Sequence, residues 1–344
     1  MISRGRRFLS RVLRTESFLI GILCLIGLIP WPRPAERRGR PYVYSPLVML
    51  RCFIVRMWMR IPSNNALHSF FILSTQNPYN ARVMIACGLP RVPDRRTFDR
   101  RLRNISSDGS DEDLRPRIDS MGQIFVAERL VDPYIVSVDS TLLKARGGVW
   151  HKVSREKGIV PHRSIDTDAR WGKSRSKGWV FGYKLHMSCS TGRRLIVPLS
   201  ADFTTANVPD NKRFDGITAS LRGVRYADGD EGYDDEDLYD LSRQRGFELI
   251  CPIARRESTS GARLELVLFY ESDLGHLVYS WRSKSIEPLF EQIKDVFGID
   301  PLPVRGFDKA RMFVLLSVLL FQLMVYYNHL TGRPLRALKH MLGS

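Results

Sequence analysis

Two predicted β-strands of this chain each lead to an aspartate, and this pattern constrains the fold more than any other feature of the sequence. A β-branched and aromatic run over residues 133–138 ends at Asp139, and a shorter run over 224–228 precedes Asp230 in a glycine turn. Successive side chains of a strand point to opposite faces of a sheet. If the two strands are neighbours in a sheet, both carboxylates can meet at one end of it.

A third acid, Glu287, stands near the start of a predicted helix. The apolar positions of this helix recur at helical spacing: Ile286, Phe290, Ile293 and Phe297. This spacing predicts a buried stripe, with Glu287, Glu291 and Lys294 on the adjacent face. Ser285 is predicted to cap the helix, which would confine Pro288 to its first turn. Glu291 is the rival acid, and we assign it to a salt bridge with Lys294.

Two strand-end aspartates and one helix-borne glutamate are the ligands that a two-metal site for phosphodiester chemistry requires. Hard carboxylate oxygens suit Mg²⁺, and a pair of ions can stabilise both the attacking and the leaving oxygen. Asp139 alone could instead cap a helix or form a local turn. The second acid is ambiguous within its motif, whose acidic residues are Asp228, Asp230, Glu231, Asp234 and Asp235. Glycines on both sides favour Asp230, and Asp234 is predicted to cap the following helix.

Six motifs carry a family resemblance over about residues 44–334. In chain order they are residues 138–145, 150–152, 166–171, 178–186, 229–234 and 282–294. Together they resemble the DDE transposases of bacterial insertion sequences of the IS4/IS5 type. The resemblance implies a catalytic triad of Asp139, Asp230 and Glu287 that binds Mg²⁺, for which Mn²⁺ may substitute. Four residues separate Arg282 from Glu287, where one branch of the family has three, which favours a different branch.

The same resemblance implies an activity and its partners. The expected enzyme cleaves double-stranded DNA at the ends of an insertion sequence and transfers the 3′-OH strand into target DNA, without a nucleotide cofactor. Because two ends are joined, a homodimer or a larger synaptic complex is expected. Two alternatives stay open: an RNase H-like metal-dependent nuclease that does not rejoin DNA, and a DNA-binding protein whose acids are incidental.

The charge of the chain favours a polyanionic partner. Its formal net charge is +17, and residues 1–132 contain 22 arginines, no lysine and 11 acidic residues. Neutralising phosphates releases counterions and favours binding. The arginines of a predicted helix at 93–103 recur on one face: Arg96, Arg100 and Arg103. This face is predicted to contact DNA while Phe98 and Leu102 pack inward, and the alternative is a solvated face paired with Asp94 and Asp99.

Further DNA contacts are predicted around the catalytic residues. Tyr279, Arg282 and Lys294 match the family's Tyr, Arg and Lys around the glutamate; Arg282 would contact phosphate as a bidentate fork and Lys294 as a point charge. For Tyr279, a packed strand residue is the alternative. The basic stretch 150–184, which ends at Lys184, is predicted to hold the DNA end.

The resemblance implies an α/β fold, and the local signals agree with it. They predict strands at 134–137, 180–188, 194–199, 224–229 and 247–253, and helices over 207–221, which begins near Asp210, and 235–245. The predicted chain has three parts. These are an RNase H-like catalytic domain with a mixed five-stranded sheet and helices, a mainly helical N-terminal DNA-binding region, and a C-terminal buried helix. The predicted boundaries are an extension at 1–43, the DNA-binding region at 44–132, the catalytic domain at 133–300 with an insertion loop at about 146–180, and a C-terminal helical segment at 301–344.

Cysteines and apolar runs bear on the compartment. The five cysteines are widely spaced, which predicts buried thiols in a reducing cytoplasm rather than disulfides or a zinc site. The apolar run 18–31 is too short to span a bilayer, and the run 312–327 is better explained as a core helix. We therefore expect a cytoplasmic, nucleoid-associated protein without a membrane partner.

Overall fold

The computed structural model describes most of the 344-residue chain. The described residues are 13, 17–32, 42–106, 110, 112–174, 178–192, 195–253 and 261–342. The predicted arginine-rich start, most of the linker at 30–41 and much of the acidic loop at 106–113 lie outside them. Two compact units divide the chain, one formed by residues 1–117 and 316–344 and the other by residues 118–315. The functional boundaries given above stay predictions.

The first unit is helical, as the sequence predicts for this region. Its N-terminal helices are α1 (Phe18–Ile26), α2 (Pro46–Trp58), α3 (Asn64–Ile72), α4 (Pro78–Cys87) and α5 (Arg95–Ser106). Side chains that accept hydrogen bonds from amides of the first turn start three of them: Ser45, Ser63 and Asn77. Gly88 ends α4 in the left-handed conformation, with φ of 75°. Local capping signals thus set the ends of these helices.

The second unit contains a six-stranded mixed sheet. Its strands are β1 (Ile135–Lys144), β2 (Arg170–Ser174), β3 (Gly178–Ser190), β4 (Pro198–Thr205), β5 (Tyr226–Asp228) and β6 (Glu248–Ile250). The path is β2-β3-β1-β5-β6, and β4 also pairs with β3. The antiparallel strands β1, β3 and β4 followed by the parallel strands β5 and β6 confirm the RNase H-like order.

Three details of the predicted sheet were wrong, the first being its size, since it has six strands rather than five. The segment 146–180 is not only a loop, because it contains the short helix α7 (Lys152–Glu156) and the strand β2, which pairs with the start of β3. The strand predicted at 194–199 lies at 198–205, where it follows β3 over seven residue pairs. Cross-strand pairing selected this register over the local turn signals.

The pairing register explains how the two aspartates come together. β1 and β5 run parallel, and Ser137 lies opposite Asp228. From these two residues the backbone continues two residues further, to Asp139 on β1 and to Asp230 in the turn after β5. Parallel neighbours end at the same edge of a sheet, so the predicted adjacency of the two strands is confirmed.

The helices of this unit differ from prediction mainly in their ends. They are α6 (Arg115–Ala127), α8 (Phe214–Thr218), α9 (Glu236–Gln244), α10 (Gly261–Glu271), α11 (Asp273–Tyr279) and α12 (Trp281–Phe297). The helix predicted over 207–221 is reduced to a 3₁₀ turn (Asn211–Arg213) and α8. Asp235, rather than Asp234, accepts a hydrogen bond from an amide of the first turn of α9. Tyr279 ends α11 and is not a strand residue.

Helix α12 begins earlier than predicted. Trp281 is its first residue, so Ser285 does not cap it and Pro288 lies inside it. Proline has no amide hydrogen, and the carbonyl of Lys284 therefore lacks its usual helical partner. The helix continues because its apolar face, including Ile286 and Ile293, is fully buried.

The C-terminal helix α13 (Phe307–Thr331) is the buried helix that the sequence predicts. It is long and apolar enough to cross a membrane, and its most apolar 18-residue window is entirely buried inside the protein. Burial of this kind is typical of a core helix. A short helix, α14 (Leu338–Leu342), follows.

Gly182 provides a test of the sheet. A Cβ atom at this position would lie 1.9 Å from the carbonyl oxygen of Leu143, because β3 passes closely between β1 and β2. We expect Gly182→Ala to lower the free energy of unfolding by about 1–3 kcal/mol, as overpacking does. Gly148→Ala is the control, since its Cβ would make only ordinary contacts. Urea denaturation should separate the two variants, and equal stabilities would contradict this packing.

Candidate active site

Asp139 lies in β1 and is nearly buried, with 8% of its surface exposed. One carboxylate oxygen, Oδ1, accepts a hydrogen bond from the backbone amide of Ser140 at 2.8 Å. The other, Oδ2, accepts one from Nη2 of Arg282 at 2.5 Å. Both oxygens of the first predicted catalytic acid are therefore hydrogen-bonded.

Arg282 links this aspartate to the predicted glutamate. It lies in the first turn of α12, and its Nη1 donates to Oε1 of Glu287 at 2.9 Å. The Arg282 side chain is 15% exposed and that of Glu287 is 53% exposed. The guanidinium thus lies between the two carboxylates, and Glu287 forms the solvent side of the site.

Asp230 completes the acidic group from the turn after β5. Its Oδ1 accepts the amide of Gly232 at 2.9 Å and caps the 3₁₀ turn Glu231–Tyr233. Its negative charge acts on both Asp139 and Arg282. The structure therefore joins Asp139 and Glu287 through Arg282 and places Asp230 in the turn that follows the neighbouring strand β5, and the role of the three acids as metal ligands stays a prediction.

Asp228 has a different place from Asp230. It is fully buried, and its Oδ2 lies 2.9 Å from Oγ of Ser137, which lies 2.9 Å from Oγ of Ser285. Ser285 also donates to the carbonyl of Trp281 at 2.7 Å. The Ser137 hydroxyl donates to this carboxylate oxygen of Asp228. Burial raises the pKa of Asp228 well above its usual value.

Two other acids of the motif, Asp234 and Asp235, have structural roles. Asp234 is buried and accepts a hydrogen bond from the hydroxyl of Tyr239 at 3.1 Å, and Asp235 caps α9. The ambiguity among these acids, which the sequence left open, is thereby reduced. Asp230 is the acid that is partly exposed and adjoins both Asp139 and Arg282.

The charges of the site perturb one another. Burial raises the pKa of Asp139 to about 7, the Arg282 guanidinium opposes this shift, and the Asp230 carboxylate adds to it. Burial alone would lower the pKa of Arg282, but Asp139, Asp230 and Glu287 together raise it above its usual value. A carboxyl that holds its proton near neutrality needs a cation beside it to ionise fully.

The donor set fits a hard divalent cation. Asp139, Asp230 and Glu287 present carboxylate oxygens, which are the ligands that Mg²⁺ and Mn²⁺ take. Within the described residues, no three His, Cys, Asp or Glu side chains are close enough to form a ready metal-binding group. Asp139 and Glu287 instead bind the positive charge of Arg282.

A polar network that the sequence did not reveal lies beside Asp139. The hydroxyl of Ser140 donates to Oδ1 of Asp210 at 2.7 Å, and Nζ of Lys184 lies 2.8 Å from the same oxygen. His186, predicted as a strand side chain, is buried on β3 and lies 2.8 Å from the hydroxyl of Thr204. Burial lowers the pKa of His186 to about 3, so the ring is neutral. The sequence predicts only that Asp210 begins a helix. Its partners Ser140 and Lys184 are distant in sequence, so no local signal indicates them.

The structure also locates the other predicted DNA contacts. Lys184 is nearly buried and pairs with Asp210. Lys294 forms the predicted salt bridge with Glu291 at 2.9 Å. The ring of Tyr279 packs edge-on against Tyr270, with centroids 5.4 Å apart. Their contacts with DNA stay predictions.

The arginine helix α5 has the predicted two faces. Phe98 and Leu102 are buried, and the arginines of the opposite face are exposed: Arg96, Arg100 and Arg103. Asp94 accepts the amide of Arg96, and Asp99 accepts a hydrogen bond from Asn64. The neighbouring Arg101 is buried and forms an ion pair with Glu112, a structural role that helical spacing alone did not indicate.

Fold and site together define an RNase H-like α/β protein with an acidic cluster beside the end of its central parallel strands. The profile of the transposase DDE domain family matches residues 131–323, which is more than half of the chain. The chain therefore belongs to this family and is a transposase. This confirms the family resemblance, whereas the IS4/IS5 type stays a prediction.

Similarity to individual proteins is low. No curated protein matches the chain. A piggyBac transposase synaptic complex with hairpin DNA shares 10% identity, covering 98% of this chain and 78% of that chain with a TM-score of 0.40. A pre-cleavage Mos1 transpososome shares 11% identity, covering 86% and 81%, with a TM-score of 0.19. A Drosophila P element transposase strand transfer complex shares 14%, covering 82% and 63%, with a TM-score of 0.18. Such scores carry no argument about the site.

The raised pKa of Asp139 predicts a pH dependence of stability. Its folded-state pKa of about 7 exceeds its ordinary value of 3.8, so its contribution to stability is fully present below pH 3.8 and is lost as pH rises through 7. In EDTA, the free energy of unfolding should fall between pH 5 and 7.5 by roughly 2 kcal/mol more in the wild type than in Asp139→Asn. Urea titrations at both pH values measure this, and parallel profiles would contradict the shift.

The pair formed by Lys184 and Asp210 predicts a stability loss. Removing one partner leaves a charge without its counter-ion, which costs about 3–5 kcal/mol in fully buried pairs. The Asp210 side chain is 22% exposed, so we expect Asp210→Ala to cost about 2–3 kcal/mol. Glu156→Ala breaks the exposed pair with Lys152 and should cost less than about 0.5 kcal/mol. Chemical denaturation checks both, and a small effect of Asp210→Ala would show that Lys184 finds another partner.

Proposed function

We propose that this transposase cleaves DNA at the ends of an insertion sequence and transfers the freed 3′-OH strand into target DNA. Asp139, Asp230 and Glu287 would hold Mg²⁺, for which Mn²⁺ may substitute. The observation that carries the proposal is that Asp139 of β1 and Glu287 of α12 bind the same Arg282 guanidinium, while Asp230 lies in the turn that follows β5, the parallel neighbour of β1. The match to the transposase DDE domain supports it.

The residues of the site would divide the work as follows. Bound Mg²⁺ would supply Lewis-acid stabilisation of the attacking and leaving oxygens of the phosphodiester. Asp139 is fixed in orientation by the Ser140 amide and by β1, and Asp230 by its hydrogen bond in the turn. Glu287 is the more exposed ligand and can adjust to the incoming strand. Fixed geometry of this kind is what in-line displacement requires.

Arg282 would serve as a phosphate ligand. Its fork already binds two carboxylate oxygens, one from Asp139 and one from Glu287. A phosphate presents a similar pair of oxygens, and guanidinium binds either group in a bidentate manner. Arg282 would exchange its carboxylate partners for the phosphate when the acids take a cation.

Binding of double-stranded DNA is proposed for two surfaces, each within its own unit. One is the exposed face of α5, which presents Arg96, Arg100 and Arg103. The other surrounds the acidic cluster, with Arg282, Lys294, Tyr279 and Lys184. The formal charge of +17 supports a polyanionic partner. Because two ends must be joined, we propose a homodimer or higher synaptic complex. We also propose that it acts in the cytoplasm, in association with the nucleoid.

The chemistry is tested with DNA ends taken from the sequence that flanks the gene. Purified protein and Mg²⁺ should nick these ends and join pre-cleaved 3′-OH ends to plasmid DNA. Asp139→Asn, Asp230→Asn and Glu287→Gln should each lower both products by roughly 10³-fold, as expected for loss of a principal electrostatic group. Asp240→Asn, at an exposed acid on α9, is the matched control and should retain activity.

Other outcomes identify the alternatives. Cleavage without joining of pre-cleaved ends would indicate a metal-dependent nuclease of the same fold. DNA binding without cleavage, unaffected by Asp139→Asn, would indicate a DNA-binding protein whose acids are incidental.

A further inference from the structure

We propose that Ser137, Asp228 and Ser285 form a buried positioning network that sets the relative places of the three catalytic acids. These three residues are hereafter called the buried node. The inference rests on the proposed function, since it concerns how the metal-binding carboxylates are held. The node residues are buried and act through the acids that follow them in sequence.

Sequence spacing ties each node residue to one acid. Ser137 precedes Asp139 by two residues, Asp228 precedes Asp230 by two, and Ser285 precedes Glu287 by two. The three node residues belong to β1, β5 and α12. The node therefore joins the same three elements that lead to the triad, and each node residue lies two residues before one of the acids.

Hydrogen bonds connect the node across these elements. Oγ of Ser137 lies 2.9 Å from Oδ2 of Asp228 and 2.9 Å from Oγ of Ser285. The sequence separations are 91 and 148 residues, so the bonds fix long-range geometry rather than a local turn. The hydroxyl of Ser285 also donates to the carbonyl of Trp281 at 2.7 Å, which anchors the node in the first turn of α12.

Burial makes the hydrogen bonds of the node costly to break. Ser137, Asp228 and Ser285 are all fully buried, and Cys189 of β3 lies opposite Ser137 in the sheet. Polar groups without access to water keep their hydrogen bonds because an unpaired partner is costly. A shift of α12 relative to β1 would break the bond between the two serines, so the node resists the movement that would separate Glu287 from Asp139.

The node also distinguishes two aspartates of one motif. Asp228 accepts a hydrogen bond from Ser137 in the protein interior, whereas Asp230 lies in the turn that follows β5. An amide at residue 228 can replace the carboxylate in this hydrogen-bond chain, because its carbonyl oxygen can accept the same bond. An amide at residue 230 would remove a charged metal ligand. The same substitution should therefore have opposite consequences at positions two residues apart.

Calorimetric titration of the full-length protein with Mn²⁺, in the absence of DNA, tests the proposal. We expect Ser137→Ala and Ser285→Ala each to weaken Mn²⁺ binding about tenfold, which is the lower range for loss of an outer hydrogen-bond partner at a metal site. Asp228→Leu should weaken it similarly. Asp228→Asn should keep the wild-type dissociation constant within about twofold, and Asp230→Asn should lose binding.

Two buried serines of the same unit provide matched controls. Ser188 on β3 donates to the carbonyl of Ile217, and Ser242 on α9 donates to the carbonyl of Leu238 four residues earlier, as Ser285 does to Trp281. Ser188→Ala and Ser242→Ala should lower stability in urea to an extent similar to the node variants. Their Mn²⁺ dissociation constants should stay within about twofold of the wild type.

The contrary results are distinct. If Ser137→Ala and Ser285→Ala lower stability but leave Mn²⁺ affinity unchanged, the node is structural only and the inference is overturned. If Asp228→Asn loses Mn²⁺ as Asp230→Asn does, Asp228 is itself a ligand and the inference is also overturned. If the wild type binds no Mn²⁺, or Asp139→Asn binds it equally well, the proposed catalytic site fails, and this outcome is read independently of the serine variants.

Discussion

The parallel pairing of β1 with β5 is the constraint on which the site depends. It aligns Ser137 with Asp228 across 91 residues of sequence and carries both chains on to an aspartate two residues later. β3 holds the other edge of β1 by antiparallel pairing over nine residue pairs. With both edges bonded, β1 cannot slip in register without turning its alternate side chains to the wrong face. Asp139 is therefore fixed by the sheet, and the turn after β5 brings Asp230 to it.

Such a gathering of like charges needs an opposing charge. Burial and the neighbouring carboxylate of Asp230 both disfavour ionisation of Asp139, and the Arg282 guanidinium opposes them. Because Arg282 and Glu287 belong to the same helix, placement of α12 against β1 brings in the counter-charge and the third acid together. Arg282 and Glu287 are therefore positioned together relative to the sheet.

The sequence predicted the elements that depend on local signals. Strand alternation located Asp139, glycines around Asp230 identified the turn, and the apolar spacing of Ile286 and Ile293 identified the helix of Glu287. It failed where distant contacts decide. Helix α12 continues through Pro288 because its apolar face is buried. Asp210 contacts Ser140 and Lys184 only once the sheet has formed. The bond between Ser137 and Ser285 spans 148 residues, and no periodicity in either segment indicates it.

Pro288 has a mechanical consequence for the residues around it. Since residue 288 has no amide hydrogen, the carbonyl of Lys284 lacks its tie to the next turn. The turn that contains Arg282 and the turn that contains Glu287 are therefore joined by one backbone hydrogen bond fewer than in an ordinary helix. The first turn of α12 can therefore rotate slightly without breaking a backbone hydrogen bond at that position. This freedom lies between the Arg282 guanidinium and the Glu287 carboxylate that it binds.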